Sequence, residues 1–97
     1  MQTHIVVWKY LPEIEAAIRD EHVNQLRRLA TVIEEVQSLS VGVDLLHLAR
    51  SYDTGLVATF RDHAGLEAYT VHPEHEKVAT LGRNISAHVV SVDFEDD

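Results

Sequence analysis

The chain has no cysteine, so disulfide frameworks, cysteine-bound zinc and thiol nucleophiles are all excluded. No apolar run approaches the ~20 residues that a membrane-crossing helix needs, and the first residues lack the basic-then-apolar pattern of a signal peptide. The expected location is the cytoplasm, with no membrane partner. Basic residues are scarce as well: eight Lys and Arg stand against sixteen Asp and Glu, a net charge of −8. The terminal Glu95-Asp96-Asp97 carries three of those charges and leaves −5 for the rest. Phosphate-rich partners need a basic surface, so nucleic acid is not an expected partner either. Proline occurs only twice, at Pro12 and Pro73, and both positions read as helix starts. There is no internal repeat and no low-complexity segment.

What remains is an ordinary globular composition, 45% hydrophobic and 25% charged, in 97 residues. That is one domain, residues 1–97, with room for one core. A chain this short buries only roughly two-thirds of its unfolded surface, so self-association would stabilise it.

The pattern along the chain sets the element order. Thr3 to Lys9 is rich in β-branched and apolar residues, as a largely buried strand requires. From Pro12–Glu13 a helix of about twenty residues is expected to run to Glu35, with Ile14, Ala17, Ile18, Leu26, Leu29, Ala30 and Ile33 on its apolar stripe. Val36 to Asp44 alternates as a strand, and Gly42 within it marks a bulge or a close backbone approach. Leu45 to Tyr52 reads as a loop whose leucines need covering by a neighbour. Ser51 to Phe60 is a further strand, Ala64 to Tyr69 a short helix, and Pro73 to Arg83 a second one. In the last strand, Ser86 to Glu95, His88, Val90, Val92 and Phe94 share one face, with Val89 and Ser91 on the other.

The order strand, helix, strand, strand, helix pair, strand is the split βαβ pattern of an α+β, ferredoxin-like protomer with a four-stranded antiparallel sheet. Apolar residues occur at both parities of the strands, so the sheet face away from the helices needs cover too. Two such sheets face to face, a homodimer, supply it.

Chemistry concentrates in Glu67 to Val78, the run EAYTVHPEHEKV. Pro73 fits the first position of a helix, which makes His72 its cap and puts His75 in the first turn. The unpaired N–H groups there disfavour imidazolium and help keep His75 neutral. A neutral histidine with the Tyr69 phenol nearby makes a general-base pair. The alternative reading is structural: an imidazole bonded to backbone or carboxylate, pinning the junction of two helices. His4 either points into a cavity beneath the helices or is a hydrogen-bonded core histidine. His4, His72 and His75 do not form a metal-ligand pattern, since neither a His-x-x-x-His pair nor a flanking acidic ligand accompanies them. Asp53 either orients a histidine or caps a turn, and Trp8 packs in the core or on a dimer face. His22 needs no role beyond filling surface or core.

The runs His4 to Tyr10, Ser38 to Gly42, Ser51 to Phe60, Leu66 to Val78 and His88 to Glu95 together resemble the stress-responsive dimeric α/β-barrel (Dabb) domain family. The resemblance spans nearly the whole chain, and the Tyr and His-Pro-x-His run is its specific part. It implies a ferredoxin-like protomer that dimerises into a barrel-like sandwich. Most members have no assigned activity, and a small apolar ligand is a fitting partner. A plant member, olivetolic acid cyclase, performs an intramolecular aldol condensation. By that resemblance Tyr69, His75 and His4 occupy its catalytic positions, which implies a carbonyl substrate. Neither a cofactor nor a metal site is assigned. The family's Pro-Gly after the first helix is replaced here by Glu34-Glu35.

Overall fold

A computed structural model describes residues 1–96. Strand β1 (Gln2–Tyr10) is followed by helix α1 (Ala16–Val32), strands β2 (Val36–Val43) and β3 (Thr54–Phe60), helices α2 (His63–Thr70) and α3 (Pro73–Ile85), and strand β4 (Ser86–Glu95). The four strands form one antiparallel sheet in the order β2-β3-β1-β4. The protomer is the α+β ferredoxin-like fold that the element order implies.

Side chains alternate across the sheet. Val6, Trp8 and Tyr10 of β1 and Leu56, Ala58 and Phe60 of β3 are buried beneath the helices. Leu26, Leu29 and Ile33, with Leu66, Tyr69, Val78 and Ile85, close the core from above. His4 has the parity of Val6 and Trp8, so it lies on the helix-covered face. Opposite it in register stands Asp93 of β4.

Several element limits differ from the sequence reading, each for a local reason. Helix α1 starts at Ala16, not at Pro12–Glu13, because Leu11 to Ile14 closes a turn first, the Ile14 N–H donating to the Leu11 carbonyl at 3.1 Å. It also stops three residues short of Glu35. Ile33 adopts extended geometry, and the Val36 N–H returns to its carbonyl at 3.2 Å. Glu34-Glu35 therefore make the turn without the family's Pro-Gly. The buried stripe of α1 is His22, Val23, Leu26 and Leu29, whereas Ala17, Ile18 and Ala30 face solvent. Strand β3 begins at Thr54 because Ser51 to Asp53 are used as ties: the Asp53 N–H donates to the Trp8 carbonyl at 2.8 Å, and its carboxylate accepts the Tyr10 N–H at 2.8 Å. Asp53 is thus a backbone anchor, not an orienter of histidine. The bulge in β2 falls between Val36 and Ser38, not at Gly42. The loop leucines project outward, with Leu45 at 85% exposure.

His22 is fully enclosed. Its Nδ1 is joined to the Tyr10 hydroxyl at 2.7 Å, which is joined in turn to Thr54 Oγ1 at 2.9 Å. Its Nε2 has no hydrogen-bond partner. Gly82 of α3 makes room for this cluster. A Cβ there would stand 2.7 Å from Trp8 Nε1 and 2.9 Å from His22 Nε2. Gly82→Ala is therefore expected to destabilise the fold by about 1–3 kcal/mol, despite alanine's better helix propensity. A denaturant titration showing equal or greater stability would contradict this account of the packing.

Candidate active site

The junction of α2 and α3 is built by local rules. Helix α2 is capped by Asp62, whose Oδ1 accepts the Gly65 N–H at 2.9 Å. Pro73 opens α3, and His72 caps it by accepting the Glu74 N–H at Nδ1, 3.1 Å away. The caps hold the helices end to end, so Tyr69 near the close of α2 meets His75 in the first turn of α3. Their ring centroids are 4.4 Å apart, with planes tilted by 41°.

His75 Nδ1 lies 3.1 Å from the Thr70 carbonyl oxygen. A carbonyl only accepts, so Nδ1 carries the proton and Nε2 keeps its lone pair. Burial pushes the pKa of His75 below the usual histidine value, partly offset by the Thr70 bond, and nearby His4 lowers it further. The ring is neutral at pH 7, as the sequence implies, but burial is the leading cause.

His4 approaches from the sheet side, its ring 5.8 Å from Tyr69 in an edge-on arrangement. Its Nδ1–H donates to the Asp93 carboxylate, which fixes the ring and leaves Nε2 as the nitrogen not engaged by Asp93. The two imidazoles thus flank one phenol, each with its Nδ1 committed to the protein. Tyr69 itself is only 1% exposed and packs between Phe60, at 4.9 Å, and His75. Burial raises its pKa to about 12, so it stays a phenol throughout the physiological range. No described residue hydrogen-bonds its hydroxyl, and the fully enclosed unpartnered side-chain atoms are elsewhere, at His22 and Ser86.

An open, mainly apolar cleft of about 910 Å³ lies over this group, walled by His4, Leu66, Thr70, Val71, His75 and Asp93. Tyr69 lies beneath the wall and not on it. The structure thus gathers His4, Tyr69 and His75 at one place and leaves His72 to its capping role. Asp93 was missed in the sequence. The available signal was its parity on β4, which matches that of His4 once β1 and β4 are paired. No group of three or more metal-ligating side chains occurs among the described residues.

No curated protein matches the chain. Solved structures do. A dimeric ferredoxin-like protein of unknown function from Thermobifida fusca is 26% identical with a TM-score of 0.86, over 96% of this chain and 88% of that one. A second such protein, from Jannaschia, is 25% identical with a TM-score of 0.82, over 98% of each chain. Hydroxynitrile lyase from Passiflora edulis has a TM-score of 0.89 at 17% identity, over 99% of this chain and 93% of that one, a likeness of fold alone. Residues 3–96 match the family described as the stress responsive A/B barrel domain, Dabb, and the chain belongs to that family.

Proposed function

We propose that the cleft binds a small apolar carbonyl compound and that His75 moves a proton beside its carbonyl group. The observation that carries this is the neutral His75 ring, its Nδ1–H spent on Thr70 and its Nε2 bare, lining an apolar cleft next to a phenol that no described residue hydrogen-bonds. In this reading Nε2 removes the proton, and Tyr69 donates a hydrogen bond to the oxygen that gains negative charge. His4, held by Asp93, lines the same cleft and offers a second polar contact for the substrate's oxygen atoms. The proton returns from His75 to carbon or oxygen, so the catalyst is regenerated. The neighbour named hydroxynitrile lyase is compatible with the reading only in that the same fold there carries an enzyme. The functional unit is a homodimer formed through the sheet face that the helices leave open, as the dimeric neighbours support. Its place is the cytoplasm, in keeping with a chain that has no cysteine and no helix, among the described residues, long and apolar enough to cross a membrane.

A second reading has its own support. Tyr69 is packed as a core residue, and the His75–Thr70 bond pins the helix junction, which is all that a binding module without turnover requires. One experiment separates the two. Apolar ketones and 1,3-dicarbonyl compounds are incubated with the protein in D2O, and loss of the proton next to the carbonyl is followed by NMR. Exchange above the buffer rate, absent with His75→Gln, is the expected result. Shifts of the His4 and His75 ring signals without any exchange would mean binding alone.

A further inference from the structure

The open face of the sheet is graded in height. Read across the order β4-β1-β3-β2, its three central rows are Phe94-Thr3-Thr59-Ser38, Val92-Ile5-Val57-Ser40 and Val90-Val7-Gly55-Gly42. Bulky apolar side chains stand on β4 and β1, and the surface falls to serine and glycine on β2. Its lowest corner is the directly opposed pair Gly42 and Gly55, beside a depression of about 380 Å³.

Nothing inside the protomer requires those two glycines. Neither has positive φ, and the register runs unbroken through their pairing. A Cβ on Gly42 would meet nothing within 4 Å, and one on Gly55 would meet only Val7 Cγ1, at an ordinary 3.8 Å. Glycine paired within a sheet, even near the strand ends as here, nevertheless costs backbone entropy and gives no side chain to pack. The reason must lie beyond the protomer.

We propose that Gly42 and Gly55 form a socket for a β4 side chain of a second copy, and that this socket sets the direction of the dimer axis. The proposal rests on the dimeric reading above. Composition favours a second copy as the occupant: in a chain of net charge −8, the three central rows hold no charged side chain at all, and of the carboxylates bordering the depression, Asp53 lies 3.9 Å from the Lys9 ammonium and Asp44 accepts the His47 N–H. Two equally acidic protomers can therefore meet through these uncharged central rows, with the carboxylates kept to the rim. Shape favours it too, because a two-fold interface must be self-complementary. An axis along the strands lays the tall β4 side of one sheet over the low β2 side of the other, at the ~10 Å spacing of packed sheets. An axis across the strands would set β4 on β4 and β2 on β2, tall on tall, and leave Gly42 and Gly55 opposite the small side chains of the partner's Ser38 and the partner's Thr59. At the level of the third row, Val90 of the partner subunit enters the socket.

The test uses Gly42→Val and the milder Gly42→Ala, read by sedimentation over a concentration series and by circular dichroism. The wild-type chain is expected at twice 10.9 kDa. Gly42→Val should keep its secondary structure and raise the dimer dissociation constant by at least about 100-fold, and Val90→Ala in the same chain should recover part of the loss. Gly42→Ala should weaken the dimer less while leaving the protomer at least as stable. A wild-type mass of 10.9 kDa at every concentration would overturn the dimer itself. A wild-type dimer whose affinity is unchanged by both glycine variants would overturn the socket alone.

Discussion

Lowering the pH from 7 to 4 is expected to remove about 3 kcal/mol of folding stability through His22. Its ring is 0% exposed, and burial lowers its pKa from 6.5 to about 4. The unfolded chain therefore takes up this proton more readily than the folded one between pH 6.5 and 4. Stability is complete above about pH 6.5 and is lost as the pH falls through that window, by about 1.4 kcal/mol per pH unit. Nothing around the ring would compensate a charge. The groups packed against it are the Trp8 and Tyr10 rings and the backbone of Gly82, and its Nε2 has no acceptor. Arg19, over the Tyr10 ring at 5.1 Å, adds positive charge nearby, while Asp53 and Asp20 act on Tyr10 at longer range. His75 moves in the same direction and adds to the slope. The exposed Glu21, Glu74 and Glu95, each held below the usual carboxylate range by hydrogen bonds, act at lower pH and do not confuse it. Urea titrations of the wild type and His22→Gln at about pH 7.5 and 4.5, either side of most of that window, measure the difference. The variant should lose distinctly less stability on acidification, whatever its absolute value. An NMR titration placing the His22 ring near the ordinary 6.5 would defeat the argument.

That histidine also shows where sequence reading reaches its limit. The α2–α3 junction was legible because Pro73 permits few local geometries, and the cap at His72 and the Tyr69–His75 proximity follow from it. The parity of β4 was legible as well: His88, Val90, Val92 and Phe94 do share the open face. Helix α1 was harder. Ile18 lies exposed and His22 buried, the reverse of what their polarity suggests. The spacing of residues 22, 26, 29 and 33 held the correct stripe, but only the Tyr10 and Thr54 hydroxyls, brought in from two strands, make a buried imidazole tolerable there. Asp93 was hidden for a related reason. It joins His4 across eighty-nine residues, a contact created by sheet register and by no local pattern. What tertiary pairing alone creates is what the sequence shows least.

The largest effect on chemistry is expected at His75 and Tyr69, and their variants should separate catalysis from folding. His75→Gln keeps a donor for the Thr70 carbonyl but loses the basic Nε2, and proton exchange should fall by about 10²–10⁴-fold. Tyr69→Phe removes a hydroxyl that no described residue hydrogen-bonds, so stability should change by no more than about 0.5 kcal/mol. Its rate should still drop by about 10²-fold or more, because the developing oxyanion loses its donor. Stability lost in step with rate would instead make the phenol a packing residue. The pH profile adds a further check. The base is the neutral ring, and its pKa lies below 6.5, so the wild-type rate should hold down to that pH and decline only beneath it. Asp93→Asn should act differently. An asparagine at that position can donate to His4 and reverse the tautomer that the carboxylate enforces, which lowers the rate while leaving the acid limb in place. A loss of that limb in Asp93→Asn would transfer the role of base from His75 to His4, whereas its loss in His75→Gln alone would keep the assignment as drawn.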